Sequence, residues 1–363
     1  MRIKSSYLTC HKALTRWCVR NEFKDWVAID TEFERRNTFY PIPSLIQLAT
    51  DDSICCIDAV LIKSLEPLTD FLSNPRRTLT FHAGRQDIEV LIPLGLNQSA
   101  TIFDTQLAAS LCGLRDQIGY AQLVYNLLNL KIDKSNQRTN WLKRPLAKTQ
   151  LDYAAEDVRY LFSISEILKN KLTNLGRLEW FFEECRLSSF NWFNDSPNNA
   201  WKRLKNIHSL PRSLALKACY VAVWREFLAM EINIPRNWIL SDKHIKQLVT
   251  TSIQSKFELN SIFEKSERIR AEDLESLYKI LRGDKTYPAV SYSPPARLDT
   301  EQKKTIEAAV EGIRVLAKKN CLEPSLLATS RELKELMLTK SSSRLLANWR
   351  RQLLKDIYEE FEL

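Results

Sequence analysis

Residues Trp26 to Phe33 read W-V-A-I-D-T-E-F, an apolar run that ends in two acids one residue apart. Side chains of a β-strand alternate between its faces, so Asp30 and Glu32 project to the same side. Two like charges on one face of a buried strand are unfavourable together, because desolvation and mutual repulsion both oppose the doubly ionised state. A divalent cation resolves that conflict. So does a strand that simply ends in a solvated D-x-E, and the motif alone leaves both readings open.

A chain of 363 residues is long enough for two or three domains, each with its own core. It contains no run of about 18 apolar residues, so no transmembrane helix is expected. The first 20 residues, MRIKSSYLTCHKALTRWCVR, lack the continuous apolar core of a secretory signal. They are basic and acid-poor like a transit peptide, but read better as a leading helix packed beside the first strand. A cytoplasmic protein is expected. Its eight cysteines are scattered, without a C-x-x-C pair, which suggests reduced, packed thiols rather than disulfides or a zinc site. The net charge of +9 is uneven: residues 201 to 290 hold 16 Lys and Arg against 10 Asp and Glu. That middle stretch reads as an electrostatic handle for a polyanion, or as an ordinary basic helical domain, while the first 200 residues are nearly neutral.

Along the chain, the prolines of Y-P-I-P after the first strand indicate a loop up to Pro43. Ser44 to Thr50 and Ser53 to Ala59 form a plausible hairpin around Asp51-Asp52. Helices are expected over Leu61 to Leu72 and Arg85 to Ile92, with strands at Thr78 to Phe81 and Thr101 to Phe103. Asp104 reads as the N-cap of a helix over Thr105 to Leu111, and Gln106 as a packing contact. Beyond Tyr120 the spacing is helical, including one helix over Lys148 to Leu175 and another over Leu178 to Phe193. The run Asn194 to Asn199 is the best linker, and Tyr287 to Pro295 a second break. Three domains are therefore expected: 1–196, α/β around a mixed sheet, then two helical units over 197–290 and 291–363.

Two further acids stand out. Asp87 falls inside the first turn of a helix that follows an apolar strand, with Gly84 allowing a tight turn; a solvated acid at a helix start would look the same. Tyr153 and Asp157 are four apart, so a helix projects both from one face, and Ala154 and Ala155 keep that helix thin enough for close approach. Asp152 and Glu156 fall around the helix toward solvent.

Taken together, D-T-E, then H-A-G-R-Q-D behind a strand, then Y-A-A-E-D resemble the three exonuclease motifs of the DEDD superfamily, in its tyrosine-bearing branch. The segments R-R-N-T-F-Y-P, L-I-Q-L-A, F-D-T-Q-L-A-A, D-K-S-N-Q-R-T-N-W and R-P-L-A-K-T-Q are similar to the ribonuclease D family. The C-terminal helical units resemble its pair of helicase-and-ribonuclease-D C-terminal (HRDC) domains, with I-P-R-N-W-I-L-S-D as the clearer mark. The likeness spans nearly the whole chain, is most specific over 26–162, and shows no departure at the catalytic positions. It implies a ribonuclease H-like mixed-sheet exonuclease domain followed by two small all-α domains. Asp30, Glu32, Asp87 and Asp157 would hold two Mg²⁺ or Mn²⁺ ions, hard cations that take carboxylate oxygens. Tyr153 would orient the attacking water or help deprotonate it; its ordinary pKa near 10 makes it a poor base unless the metal shares the work, which favours orientation.

The implied reaction is 3′-5′ hydrolysis of terminal phosphodiesters with release of nucleoside 5′-monophosphates, on RNA and above all on transfer RNA precursors with 3′ extensions. Phe33, His82 and the loop Arg35 to Tyr40 are candidates for touching bases or ribose, with a packed histidine the competing view of His82. Lys134, Arg138, Trp141 and Arg144 combine cations with an aromatic and could line the approach of RNA phosphates, as could any basic surface loop. An exonuclease acting on DNA or generic single strands, and a catalytically idle RNA-binding module, are the alternatives. No membrane and no obligate protein partner are implied, and a monomer is sufficient.

Overall fold

The computed structural model describes residues 4–133, 139–251, 253, 255–263, 269–290, 292, 298–342, 344–346 and 348–363. The chain forms two compact units, one of Met1–Phe33, Pro43–Phe193 and Ala296–Leu363, the other of Glu34–Ile42 and Asn194–Pro295.

The first unit is built on a six-stranded sheet. Its strands are β1 (Ser5–Leu8), β2 (Trp26–Glu34), β3 (Ile42–Ala49), β4 (Ile54–Asp58), β5 (Thr78–Phe81) and β6 (Thr101–Asp104), in the order β1-β4-β3-β2-β5-β6. The sheet is mixed: β3 and β4 are antiparallel, whereas β1 pairs parallel with β4, and β5 parallel with both β2 and β6. Around it run α1 (His11–Arg20), α2 (Glu66–Leu72), α3 (Arg85–Leu91), α4 (Thr105–Leu111), α5 (Tyr120–Leu128), α6 (Lys148–Arg159), α7 (Leu161–Asn174) and α8 (Leu178–Phe193).

Strand alternation sorts the core into two faces. Val27 and Ile29 of β2 pack with Leu14 and Trp17 of α1, Leu68 and Phe71 of α2, and Ile88 and Leu91 of α3. Ala28 points the other way, to Ala154, Ala155 and Val158 of α6. Those two alanines are fully buried, and their small side chains let the α6 backbone lie close to the sheet. Each fully buried Val, Ile or Leu in these layers contributes roughly 1.5–3 kcal/mol.

Four local expectations are corrected. A short strand, β1, precedes the leading helix. Pro43 lies inside β3 rather than in the loop, as its second residue, a position near a strand start that tolerates the missing N–H. Helix α2 starts only at Glu66 because Pro67 occupies its first turn; a proline ring there excludes another turn before it. The long helix expected over Lys148 to Leu175 is two helices. The Tyr120 hydroxyl donates to the Glu156 carbonyl at 3.0 Å and accepts from the Tyr160 amide at 3.3 Å, taking the place of the i→i−4 bond between those two groups and ending α6.

Residues beyond 298 share a core with the sheet unit. Ile306, Ala309 and Ile313 of the helix Thr300–Lys319 and Leu333 of the helix Ser330–Thr339 join Leu111, Leu168 and Phe181 in one cluster. Trp349 stacks on Trp180 of α8, centroids 4.6 Å apart and planes 11° from parallel. Buried Arg350 forms a two-pronged pair with Glu184, one bond of which is 2.8 Å. The segment expected as a third domain therefore folds as part of the same compact unit as the sheet.

The second unit is helical and centred on α9 (Arg212–Glu231), which buries Ala218, Cys219, Ala222 and Val223 against helices including Asp242–Thr250 and Ala271–Arg282. Ser241 caps the former as expected, its hydroxyl accepting from the His244 amide. The loop between β2 and β3 also belongs to this unit. Asn233 Oδ1 accepts from the Phe39 amide at 3.1 Å and the Tyr40 amide at 3.0 Å, and the Arg236 guanidinium lies 5.5 Å from the Phe39 ring centre. All eight cysteines are free thiols, Cys10 and Cys321 exposed and the others packed to varying degree. Among the described residues no helix is long and apolar enough to cross a membrane.

Candidate metal centre and active site

On the α6 side of the sheet, the C-terminal part of β2 presents Asp30 and Glu32, and α6 faces them with Tyr153 and Asp157. Asp30, Glu32 and Asp157 each offer a carboxylate oxygen, all within 4.8 Å of one another. All three are half-buried. The Asp30 carboxyl is held well above the usual carboxylate range by burial first and then by the charges of Asp87, Asp157 and Glu32. Glu32 is pushed up to about 8 by burial and by Asp157 and Asp87. The charges acting most strongly on both are other carboxylates, so the cluster is a concentrated negative site in a partly dry setting.

Asp87 approaches from the opposite side. Its helix, α3, packs on the face that carries Val27 and Ile29, and Thr31, which points to that face, donates its hydroxyl to Asp87 Oδ1 at 2.7 Å. Asp87 is buried and raised to about 6, by burial opposed by hydrogen bonds from Thr31 and from its own helix start. Three carboxylates thus converge within 4.8 Å, and Asp87, arriving from α3, is close enough that its charge is the largest of the three carboxylates acting on Asp30.

The Tyr153 hydroxyl donates to the Asp157 carboxylate, and burial followed by the charges of Asp157, Glu32 and Asp30 pushes the phenol further above its ordinary value. A phenol so shifted keeps its proton in the metal-free chain, where Tyr153 donates to and orients Asp157. Its ring packs against Trp141, 6.1 Å between centroids.

Three hard oxygen donors drawn this close together match the coordination chemistry of Mg²⁺ and Mn²⁺, and a cation there would remove the repulsion that raises Asp30 and Glu32. The residues therefore fit a divalent metal.

The candidate substrate contacts fare differently. Phe33 is half-buried at the end of β2. His82 has both ring nitrogens engaged, Nε2 donating to the Ile118 carbonyl at 2.9 Å and Nδ1 2.9 Å from the Thr105 hydroxyl. Burial lowers its pKa, so it is a neutral, packed histidine. Trp141 is buried behind Tyr153 rather than displayed for a base. Arg144 clamps buried Asp58 at 2.6 and 2.8 Å and donates to the Ser44 carbonyl, an inward role in place of a phosphate contact. Lys134 and Arg138 lie outside the described residues. Glu156, assigned to solvent from its helical position, instead binds Arg159 at 2.6 Å and the Tyr160 hydroxyl at 3.0 Å.

Sequence reasoning missed Thr31 and Tyr120. Thr31 sits in the D-T-E motif itself, where alternation could have pointed it at the Asp87 helix; nothing local marks Tyr120. It also gave Asp104 less than its full set of contacts, since only the cap is visible in the sequence.

A mixed sheet whose central strand presents two acids to a helix carrying Tyr and Asp defines the class: residues 6–173 match the family of 3′-5′ exonuclease domains, of ribonuclease H-like fold, and residues 220–281 match the HRDC domain. Among relatives, a ribonuclease D of Acidiphilium cryptum is 39% identical over 65% of this chain and 61% of its own length. A ribonuclease D of Desulfotalea psychrophila is 31% identical over 92% of both chains. The crystal structure of Escherichia coli RNase D, described as an exoribonuclease involved in structured RNA processing, superposes with a TM-score of 0.85, 28% identity, and coverage of 98% of this chain and 99% of that one. The chain belongs to the ribonuclease D family.

Proposed function

We propose that this chain is a 3′-5′ exoribonuclease of the tyrosine-bearing DEDD branch that uses two divalent ions, Mg²⁺ or Mn²⁺, and trims the 3′ ends of transfer RNA precursors. The observation that carries this reading is the convergence of Asp30, Glu32 and Asp157 within 4.8 Å under a tyrosine that donates to Asp157. Asp30, Glu32, Asp87 and Asp157 would hold the ions. When bound, the ions would supply the positive charge that eases ionisation of the attacking water and stabilises the leaving 3′ oxygen. Tyr153 keeps its proton and fixes the orientation of Asp157 and of the water beside it. The product is a nucleoside 5′-monophosphate. The likeness to the E. coli enzyme over 98% of the chain supports reading residues 291–363 as a second HRDC-like domain, packed from Ala296 onward into the same compact unit as the sheet. A cytoplasmic monomer suffices for the reaction.

The test is a trimming assay on a transfer RNA with an extended 3′ tail and on a DNA oligonucleotide of the tail's sequence, with and without chelator. Stepwise shortening from the 3′ end of the RNA, abolished by chelator and by Asp30→Asn, is expected. Equal turnover of the DNA arm overturns the RNA preference, and digestion from the 5′ end or into internal fragments overturns the mechanism.

A further inference from the structure

The turn that delivers Asp87 is held from outside its own segment. Between β5 and α3 the chain passes through His82, Ala83 and Gly84. Ala83 adopts φ 60°, in the left-handed region that L side chains disfavour by about 1–2 kcal/mol. Gly84 is irreplaceable for space, since a Cβ there would lie 2.5 Å from the Phe81 Cβ. A strained turn of this kind persists only where its surroundings over-determine it.

Asp104, at the end of β6, supplies that determination. Its Oδ1 accepts from the Ala83 amide at 3.1 Å and its Oδ2 from the Gly84 amide at 3.1 Å. The same Oδ1 caps α4, accepting from the Gln106 amide at 2.9 Å and the Leu107 amide at 3.3 Å. One buried carboxylate thus ties the start of α3 to the start of α4. Its neighbour Thr105 adds a bond from its hydroxyl to the Phe81 carbonyl at 3.0 Å. An ordinary N-cap needs only the two α4 amides; the other two lie 20 and 21 residues earlier in the chain, three and four residues before Asp87.

We infer that Asp104 is a positioning residue for the metal centre, acting through the Ala83–Gly84 turn to set where Asp87 stands beside Thr31. It touches neither substrate nor metal. Groups that orient a ligand side chain change metal affinity or activity by about 10–100-fold when removed. The inference rests on the exonuclease reading for its activity arm alone.

The test compares Asp104→Asn and Asp104→Ala with Thr329→Ala, which removes a cap of another helix, Ser330–Thr339, where the Thr329 hydroxyl accepts from the Glu332 amide at 3.3 Å. Circular dichroism and thermal melts establish folding, Mn²⁺ titration calorimetry reads the metal centre, and 3′-trimming kinetics read kcat and KM separately. The Ala variant is expected to weaken Mn²⁺ binding and lower kcat at least tenfold with KM for RNA unchanged. Asn, which keeps one oxygen acceptor, falls between it and the parent chain, and Thr329→Ala loses stability alone. If Asp104→Ala does not fold, Asp104→Asn carries the measurement. Folded Asp104 variants with parental Mn²⁺ affinity and kcat overturn the inference. A parental chain that binds Mn²⁺ but releases no nucleotide instead overturns the exonuclease reading, and the calorimetry still decides the role of Asp104.

Discussion

The Thr31 hydroxyl donates to Asp87 Oδ1 across 2.7 Å, so the strand that carries Asp30 and Glu32 also grips Asp87. Thr31→Val keeps the shape and β-branching of the side chain while leaving Asp87 without that donor. Stability should fall by about 1–3 kcal/mol in chemical denaturation, the usual result of stripping a buried polar group of its partner. Turnover should fall about tenfold at unchanged KM. Full activity would mean that Asp87 is held well enough by its helix alone.

The carboxyl cluster makes the stability of the metal-free chain depend on pH. Glu32 rises from an ordinary 4.5 to about 8 on folding, and Asp87 from 3.8 to about 6. A folded pKa above the unfolded one means the native state binds the proton more tightly, so this contribution is complete below the unfolded value and is lost as pH rises through the folded one. The melting temperature without metal should therefore decline from about pH 5 to pH 8.5. A Mg²⁺ concentration about a hundred times the Kd at pH 8.5 adds about 2.7 kcal/mol there, and the same concentration should add less at pH 6, where protons compete for the carboxylates. A gain independent of pH would place the ion elsewhere.

Tyr153→Phe removes the hydroxyl that Asp157 accepts from and leaves the carboxylates intact. Trp141 still supports the ring, so the fold should survive. Small misplacements of reacting groups lower rates by about a hundredfold, and a loss of that order in kcat is expected, with Mn²⁺ affinity retained. Loss of metal binding instead would show that the phenol helps build the centre.

Arg350 and Glu184 are a buried ion pair joining the last segment of the chain to α8. Removing one partner of such a pair leaves an unneutralised charge and lowers stability by about 3–5 kcal/mol. Arg350→Ala should do so in urea unfolding, and the pair's contribution should persist in high salt because buried charges are poorly screened. A loss under 1 kcal/mol would indicate that Glu184 reaches water.

Much of the site follows from local pattern. The D-x-E spacing puts two acids on one face, the i, i+4 spacing puts Tyr153 and Asp157 together, and Asp104 is recognisable as a cap. What could not be read depends on partners distant in the chain. Tyr120 breaks the helix after Arg159 through its hydroxyl, which no pattern around Tyr160 announces. Arg144 looks like a surface cation until Asp58, 86 residues earlier, is found in its fork. Trp141 looks like part of a surface lining for RNA until Tyr153 is found against it and its side chain buried. β1 is only four residues long, too short for its periodicity to register.

The loop that leaves β2 immediately after Asp30 and Glu32 folds with the helical unit, its Phe39 and Tyr40 amides bonded to Asn233. A cut after residue 196 would strip those amides of their acceptor, and would also remove the tryptophan and arginine that cover α8. Trimming the gene to its front half is therefore a poor way to isolate the catalytic chemistry. Any experiment that assigns a task to the helical region by deleting it would confound lost RNA binding with an unmoored loop, and point substitutions at Asn233 separate the two.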